Sequence, residues 1–324
     1  MRCIHCGSSA GIKREKELST DEWNSATKQI SDLGCKTITL LGGEPFLRKD
    51  WYEISKNIRD SGVQLVIISN GFIINEKTIT KLRQLEPYAV AISVDGGKAE
   101  THDSIRQIKG AFNKCLEVIS MLKNADIPTT VVTTLNKLNF KELPDLRSYL
   151  LNKEIVWQIQ IAAPMGRFSK EKMLSKEEFY AAGMFIAASR KKYSIEELPV
   201  VGAHSLGYNS KILPNINIVP CWKGCQAGIS ALGIQSNGGV KGCLSLPEEF
   251  IEGNVREEHL SEIWNYPLFC SYNREFQVEN LNGNCKGCKY GKKCKGGCLT
   301  MSVAVTGQKN ADSYCFKLIE ENKD

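Results

Sequence analysis

The chain has 324 residues, 42% of them hydrophobic and 24% charged, with a formal net charge of +6. That balance excludes a disordered or fibrous protein, and the lack of any run near ~18 apolar residues excludes a membrane-spanning helix. There is no apolar secretory segment at the N-terminus, so the 13 cysteines point to metal or redox use in a cytoplasmic protein, not to a disulfide framework.

The chain opens on Met1-Arg2-Cys3-Ile4-His5-Cys6, a sulfur motif that looks cut in half. Ser19 with Glu22 three residues on predicts a capping box and a helix to about residue 33. Residues 37–41 read as a short buried strand, followed by Gly42-Gly43 and a helix over 50–61. Strands at 64–69, 89–94, 129–134 and 156–161 then alternate with helices at 76–85, 111–124 and 140–151. Ser175 and Glu178 cap one more helix to about residue 191. Most of these strands are near-continuous apolar runs, which suits a parallel sheet buried on both faces. Five β/α units joined by right-handed crossovers predict an α/β fold with an open or partial barrel, its site at the C-terminal strand ends.

Beyond Leu198 the character changes. Pro199, Pro214 and Pro220 suggest a linker, and 231–235 with 239–243 suggest a hairpin around Ser236-Asn237-Gly238. A short helix at 260–266 follows, and the remainder reads as loop that needs metal to hold its shape. The expected division is a partial barrel over 1–195, a linker over 196–220 and a cysteine-rich unit over 221–324.

Chemistry gathers at the strand ends. The first strand ends in Gly42-Gly43-Glu44-Pro45, the second in Ser69-Asn70-Gly71, the third in Ser93-Val94-Asp95-Gly96, and the fifth in Gln160-Ile161-Ala162. Glycines let backbone carbonyls approach a ligand, and a carboxylate such as Glu44 accepts bonds from an ammonium group. Taken singly, Asn70-Gly71 and Asp95-Gly96 are ordinary turn dipeptides. Their recurrence on successive strand ends, beside Cys3 and Cys6, is less ordinary. The cysteines farther on run Cys221-x3-Cys225, Cys243, Cys285-x2-Cys288-x5-Cys294-x3-Cys298 and Cys315. Short C-x2-C turns face two sulfurs toward one inorganic centre, iron–sulfur or zinc. Lys286, Lys289, Lys292, Lys293 and Lys295 interleave with them, as a solvated loop or as a site for an acidic partner. Nothing else suggests nucleic acid. Cys35, Cys115 and Cys270 match no role, and Cys115 on an apolar helix face suits packing.

On these motifs the chain resembles a radical S-adenosylmethionine enzyme carrying a C-terminal SPASM domain, over nearly its whole length. The resemblance implies a partial (β/α)6 barrel lacking its first strand, [4Fe–4S] clusters and S-adenosylmethionine. Cys3 and Cys6 match the second and third cysteines of C-x3-C-x2-C; the first would fall two places upstream of Met1. The expectation is therefore an N-terminus that starts inside the motif and a radical cluster held poorly. Gly42, Gly43, Glu44 and Pro45 match the motif that holds the methionyl amine. Ser93 and Arg106 resemble residues that hold the ribose and carboxylate, and Gln160 to Ala162 would lie against adenine.

In the cysteine-rich half, Cys225-x12-Gly238-x4-Cys243 followed by Cys285, Cys288, Cys294, Cys298 and Cys315, seven cysteines in all, match the SPASM pattern. By analogy Cys221, Cys225, Cys243 and Cys298 hold one auxiliary cluster, and Cys285, Cys288, Cys294 and Cys315 a second. The implied activity is a maturase that uses a 5′-deoxyadenosyl radical to crosslink, oxidise or epimerise a gene-encoded precursor peptide, with electrons from a flavodoxin or ferredoxin. Leu244 stands directly after Cys243, where sulfatase-maturing relatives carry an acid. A tetrapyrrole or other small-molecule enzyme, or a non-catalytic iron–sulfur relay protein, are the alternatives.

Overall fold

The computed structural model describes residues 1–218 and 222–321. Its first part is one six-stranded parallel sheet in sequence order, β1 (Thr37–Leu40), β2 (Gln64–Ser69), β3 (Ala89–Ser93), β4 (Thr129–Leu135), β5 (Val156–Ile161) and β6 (Val200–Gly202). The intervening helices are α1 (Thr20–Asp32), α2 (Trp51–Asp60), α3 (Glu76–Leu85), α4 (Ala99–Arg106), α5 (Ala111–Asn124), α6 (Leu143–Leu150) and α7 (Lys176–Lys192). Both expected capping boxes are formed: Ser19 with Glu22 opens α1, and Ser175 with Glu178 opens α7.

Three sequence expectations need correction. Residues 37–41 are not a buried strand, because β1 pairs only with β2 and its residues alternate between exposed and half-buried. Nor is the sheet buried on both faces: β2 and β5 alternate buried with half-buried or exposed positions. Strands laid down in sequence order by crossovers of one hand place every helix on one face. The other face carries the half-buried and exposed positions of β2 and β5. Finally, the stretch read as linker begins with β6, which pairs with β5 from Trp157↔Val200 to Ile159↔Gly202. A three-residue strand behind a proline carries too little pattern to be seen.

Helix α4 also escaped prediction, having only eight residues and a polar sequence. It buries His102, Ile105 and Arg106, and two of these belong to the site below.

The C-terminal part contains a small antiparallel sheet, β7 (Gly233–Ile234), β8 (Gly239–Lys241) and β9 (Gly253–Asn254), with β7 and β8 forming the expected hairpin. Helices α8 (Leu260–Asn265), α9 (Ser271–Arg274), α10 (Gly291–Cys294), α11 (Leu299–Thr306) and α12 (Phe316–Glu321) follow; only α8 was expected, and loop was expected at the other four. This part is not poor in core. Met301, Tyr314 and Phe316 join the main hydrophobic core of the barrel. The Phe316 ring lies tilted at 5.1 Å from Phe179 and edge-to-face at 5.6 Å from Tyr180, both on α7. It lies so close to Gly183 and Gly207 that a Cβ at either would sit 2.5 or 2.1 Å from ring carbons. At the other end, Arg256 forks onto Glu22 of α1, and Leu260 N donates to Gln29 Oε1 at 2.7 Å.

Candidate active site and cysteine centres

The strand ends share one rim because parallel pairing puts Ser69 beside Ile92 and Ser93 beside Val132. At the end of β1, Glu44 turns its carboxylate across to β2. It accepts from Ser69 Oγ at 2.8 Å, from Asn70 N at 2.8 Å and from Phe46 N at 3.4 Å. Burial raises its pKa, against the pull of those bonds. An ionised carboxylate has about four acceptor sites, so capacity remains for one more donor. Gly42 has φ +145°, and a Cβ there would meet nothing within 4 Å; at Gly43 it would meet only Ala10. Pro45 starts the single turn that follows.

Asp95, just past β3, is fully buried. Its Oδ2 pairs with Arg106 Nη2 at 2.5 Å and with His5 Nε2 at 2.9 Å, while Oδ1 accepts from Thr134 N at 2.8 Å. Burial alone would raise this carboxyl; Arg106 and His5 outweigh it and hold it well below the usual carboxylate range. Asp95 therefore meets the rim only through its partners. Arg106 reaches from the end of α4 to place Nη1 3.8 Å from Cys3 Sγ.

The loop carrying Cys3 and Cys6 is tied down at several points. Ile4 N donates to Ile105 O, Arg167 Nε to Cys3 O at 3.0 Å, and Arg167 N to Cys6 O at 3.1 Å. Ala10 N donates to Cys6 Sγ at 3.3 Å, and Ser8 Oγ lies 3.4 Å from the same sulfur. Although burial raises the Cys6 thiol, these bonds and the Arg167 charge lower it overall, toward the thiolate a metal requires. Gly166, at φ +57°, passes the loop so closely that a Cβ would sit 2.4 Å from Cys6 O.

Ser93 closes β3, and its carbonyl accepts from Cys115 Sγ at 3.7 Å; the same thiol donates to Asn70 O at 3.3 Å. Cys115 thus packs as expected, pushed up to about 12 by burial. Gln160 Nε2 donates to Thr134 Oγ1 at 2.9 Å, and Ala162 N continues the ladder to Leu135 O. Sequence reasoning missed His5, His102, Thr134 and Arg167. Only His5, set between two cysteines, carried a local signal.

The C-terminal cysteines fall into two groups. Cys225, Cys243 and Cys298 are electrostatic neighbours, and Cys225 and Cys243 pack against one small hydrophobic cluster. Cys221, the fourth expected member, lies outside the described residues. Cys285, Cys288, Cys294 and Cys315 line one small cavity. Burial pushes the thiols of Cys285 and Cys294 up to about 12. Among the described residues no three His, Cys, Asp or Glu converge closely enough to hold one metal ion. Four thiols on one cavity are the donor set of an iron–sulfur cluster or a zinc ion.

Asp312 stands between the groups. Its Oδ2 accepts from Tyr208 OH at 2.5 Å and from Cys298 N at 3.3 Å, its Oδ1 accepts from Tyr314 N at 2.9 Å, and its carbonyl accepts from Cys285 Sγ at 3.7 Å.

Thiols stand on the rim of the sheet, and again in two groups beyond it, where each set can hold an inorganic centre. Residues 1–150 match the Radical SAM superfamily, and residues 225–289 match the SPASM iron–sulfur cluster-binding domain. An AdoMet-dependent heme synthase from Methanosarcina barkeri is 29% identical over 98% of this chain and 93% of its own. A PqqA peptide cyclase from Rhizobium meliloti is 26% identical over 98% of this chain and 84% of its own. The crystal structure of Streptococcus suis SuiB bound to the precursor peptide SuiA superposes with a TM-score of 0.77 at 16% identity, covering 97% of this chain and 72% of that one. That likeness is one of fold. The chain carries a radical SAM domain and a SPASM domain. It is an enzyme whose cofactors are iron–sulfur clusters and S-adenosylmethionine.

Proposed function

We propose that the chain modifies a gene-encoded precursor peptide by radical chemistry at the strand-end rim. The observation that carries this is the convergence of Cys3, Cys6, Glu44, Asn70, Ser93 and Arg106 on one edge of the sheet, with two further cysteine groups beyond it. A peptide-acting relative, the PqqA peptide cyclase, supports the substrate class.

Cluster and S-adenosylmethionine, when bound, supply one-electron cleavage of a sulfonium and removal of a substrate hydrogen. Cys3 and Cys6 would supply two of the cluster's thiolates, and Arg106 faces the Cys3 sulfur. Glu44 accepts from the methionyl ammonium while Ser69 and Asn70 fix its rotamer. Gly42 and Gly43 bring backbone close to that group. Ser93 would hold the ribose and Gln160 and Ala162 would meet the adenine, while Asp95 positions His5 and Arg106 from behind. Cys225, Cys243 and Cys298, with Cys221, would hold one auxiliary cluster, and Cys285, Cys288, Cys294 and Cys315 the other.

A second reading, a tetrapyrrole substrate, is favoured by the heme synthase relative, which this chain matches almost end to end. Anaerobic assays for 5′-deoxyadenosine separate the two. Peptides encoded beside the gene should stimulate its formation and change mass, and iron tetrapyrroles should not. Stimulation by the tetrapyrrole alone would favour the second reading. Glu44→Ala should weaken S-adenosylmethionine binding by roughly tenfold or more, the loss expected for one charge-assisted hydrogen bond.

A further inference from the structure

Between Asn280 and Ala311 the chain has six lysines and neither Asp nor Glu. The net charge of the whole chain is +6, so elsewhere the 36 acidic residues are matched one for one by Lys and Arg. All of the excess positive charge therefore belongs to one segment, and that segment carries Cys285, Cys288, Cys294 and Cys298.

The structure separates the lysines from the sulfurs. Cys285, Cys288 and Cys294 turn in to line the cavity, while Lys286, Lys289, Lys292 and Lys293 are exposed. Helix α10 shows the division within four residues: Gly291 and Cys294 are buried, and Lys292 and Lys293 between them are not. Among the described residues, Lys286, Lys289, Lys292 and Lys293 enter no ion pair; Lys289 lies over the ring of Tyr290 at 5.1 Å. Lys295 and Lys309 are engaged elsewhere, Lys295 donating to Asn273 O and Lys309 lying over Phe250 and Tyr272. Four such cations thus surround a cysteine group whose members Cys285 and Cys288 are only partly buried.

We propose that this lysine rim is the docking site of an acidic one-electron carrier protein, which exchanges electrons directly with the centre held by Cys285, Cys288, Cys294 and Cys315. The proposal rests on the iron–sulfur function proposed above and adds the partner's place of entry. Unpaired charges of one sign around a partly exposed redox group steer an oppositely charged protein and hold it within electron-transfer reach. A nucleic acid would also need a run of stacking aromatics, and Tyr290 is the single aromatic residue from Asn280 to Ala311. The step is one electron from the reduced carrier to the oxidised cluster: the carrier is oxidised by one, the cluster reduced by one, and no bond forms or breaks.

The probe is a reduced plant-type ferredoxin of acidic surface, mixed anaerobically with the reconstituted full chain in a stopped-flow instrument. The second-order rate of ferredoxin reoxidation should fall roughly tenfold or more in the K286E/K289E/K292E/K293E variant, and by an intermediate factor with four glutamines. The wild-type rate should also fall steeply as salt rises to about 0.5 M. Iron content and reduction by dithionite should stay at wild-type levels in both variants. An iron-replete glutamate variant that reacts at the wild-type rate, or a wild-type rate indifferent to salt, would overturn the docking site. A Cys285→Ala/Cys288→Ala variant that keeps full iron would overturn the cluster assignment instead, which separates the two failures.

Discussion

Arg106 and Asp95 meet at 2.5 Å where neither is open to solvent, and the same carboxylate oxygen takes His5 from the cysteine loop at 2.9 Å. One buried charge thus ties α4, the end of β3 and the N-terminal loop together. Asp95→Asn would leave Arg106 buried without its counter-ion, a change that costs about 3 kcal/mol or more. The urea midpoint should fall accordingly, and adding Arg106→Met should recover part of the loss.

Burial lowers His102 to about 4, against ~6.5 for a free imidazole. As a neutral ring its Nδ1 accepts from Asp95 N at 3.1 Å, a bond that protonation breaks. A histidine depressed in the folded state contributes stability that is complete above the unfolded value and lost as pH falls toward the folded one. Stability should therefore decline between pH ~6.5 and ~4 by about 3 kcal/mol from this group. Denaturant melts across that range should show the slope, and His102→Gln should flatten it.

Phe316 docks the C-terminal part onto α7 only because Gly183 and Gly207 present no side chain. Gly207 also sits at φ +72°, where a Cβ is strained even without the ring. Gly183→Ala should cost about 1–3 kcal/mol by overpacking, and Gly207→Ala more, measured by chemical denaturation.

Removing iron should loosen the segment from Cys285 to Cys298 more than the barrel. Its few hydrophobic anchors, such as Leu281 against Gly291, are slight beside the barrel core. Hydrogen exchange after chelation should show protection lost there and in α12 first, with β2 to β5 unchanged. Uniform loss across both parts would contradict it.

Local signals carried much of the architecture. The capping boxes of α1 and α7, the strand at 64–69 and the helices at 76–85 and 111–124 stand where their patterns put them. Short elements were less legible. Strand β6 has three residues, and α4 lacks a side-chain cap, so neither offered enough periods to stand out. The exposure of β1 was hidden for another reason: an apolar strand reads the same whether it has neighbours on one side or two.

Spacing by itself determined that thiolates gather around an inorganic centre, because C-x2-C and C-x3-C intervals are chemistry written into adjacent residues; the resemblance to radical S-adenosylmethionine enzymes made that centre iron–sulfur. Patterning also placed Glu44, Ser93 and Asp95 at strand ends. Tertiary structure alone decided the rest. It turned Asp95 inward to serve His5 and Arg106, brought Cys298 to Cys225 and Cys243 across more than fifty residues of chain, and set Asp312 between the two cysteine groups. Such contacts join residues distant in the chain, and they depend on strand register, helix packing and the burial of charge, none of which any short run of residues encodes.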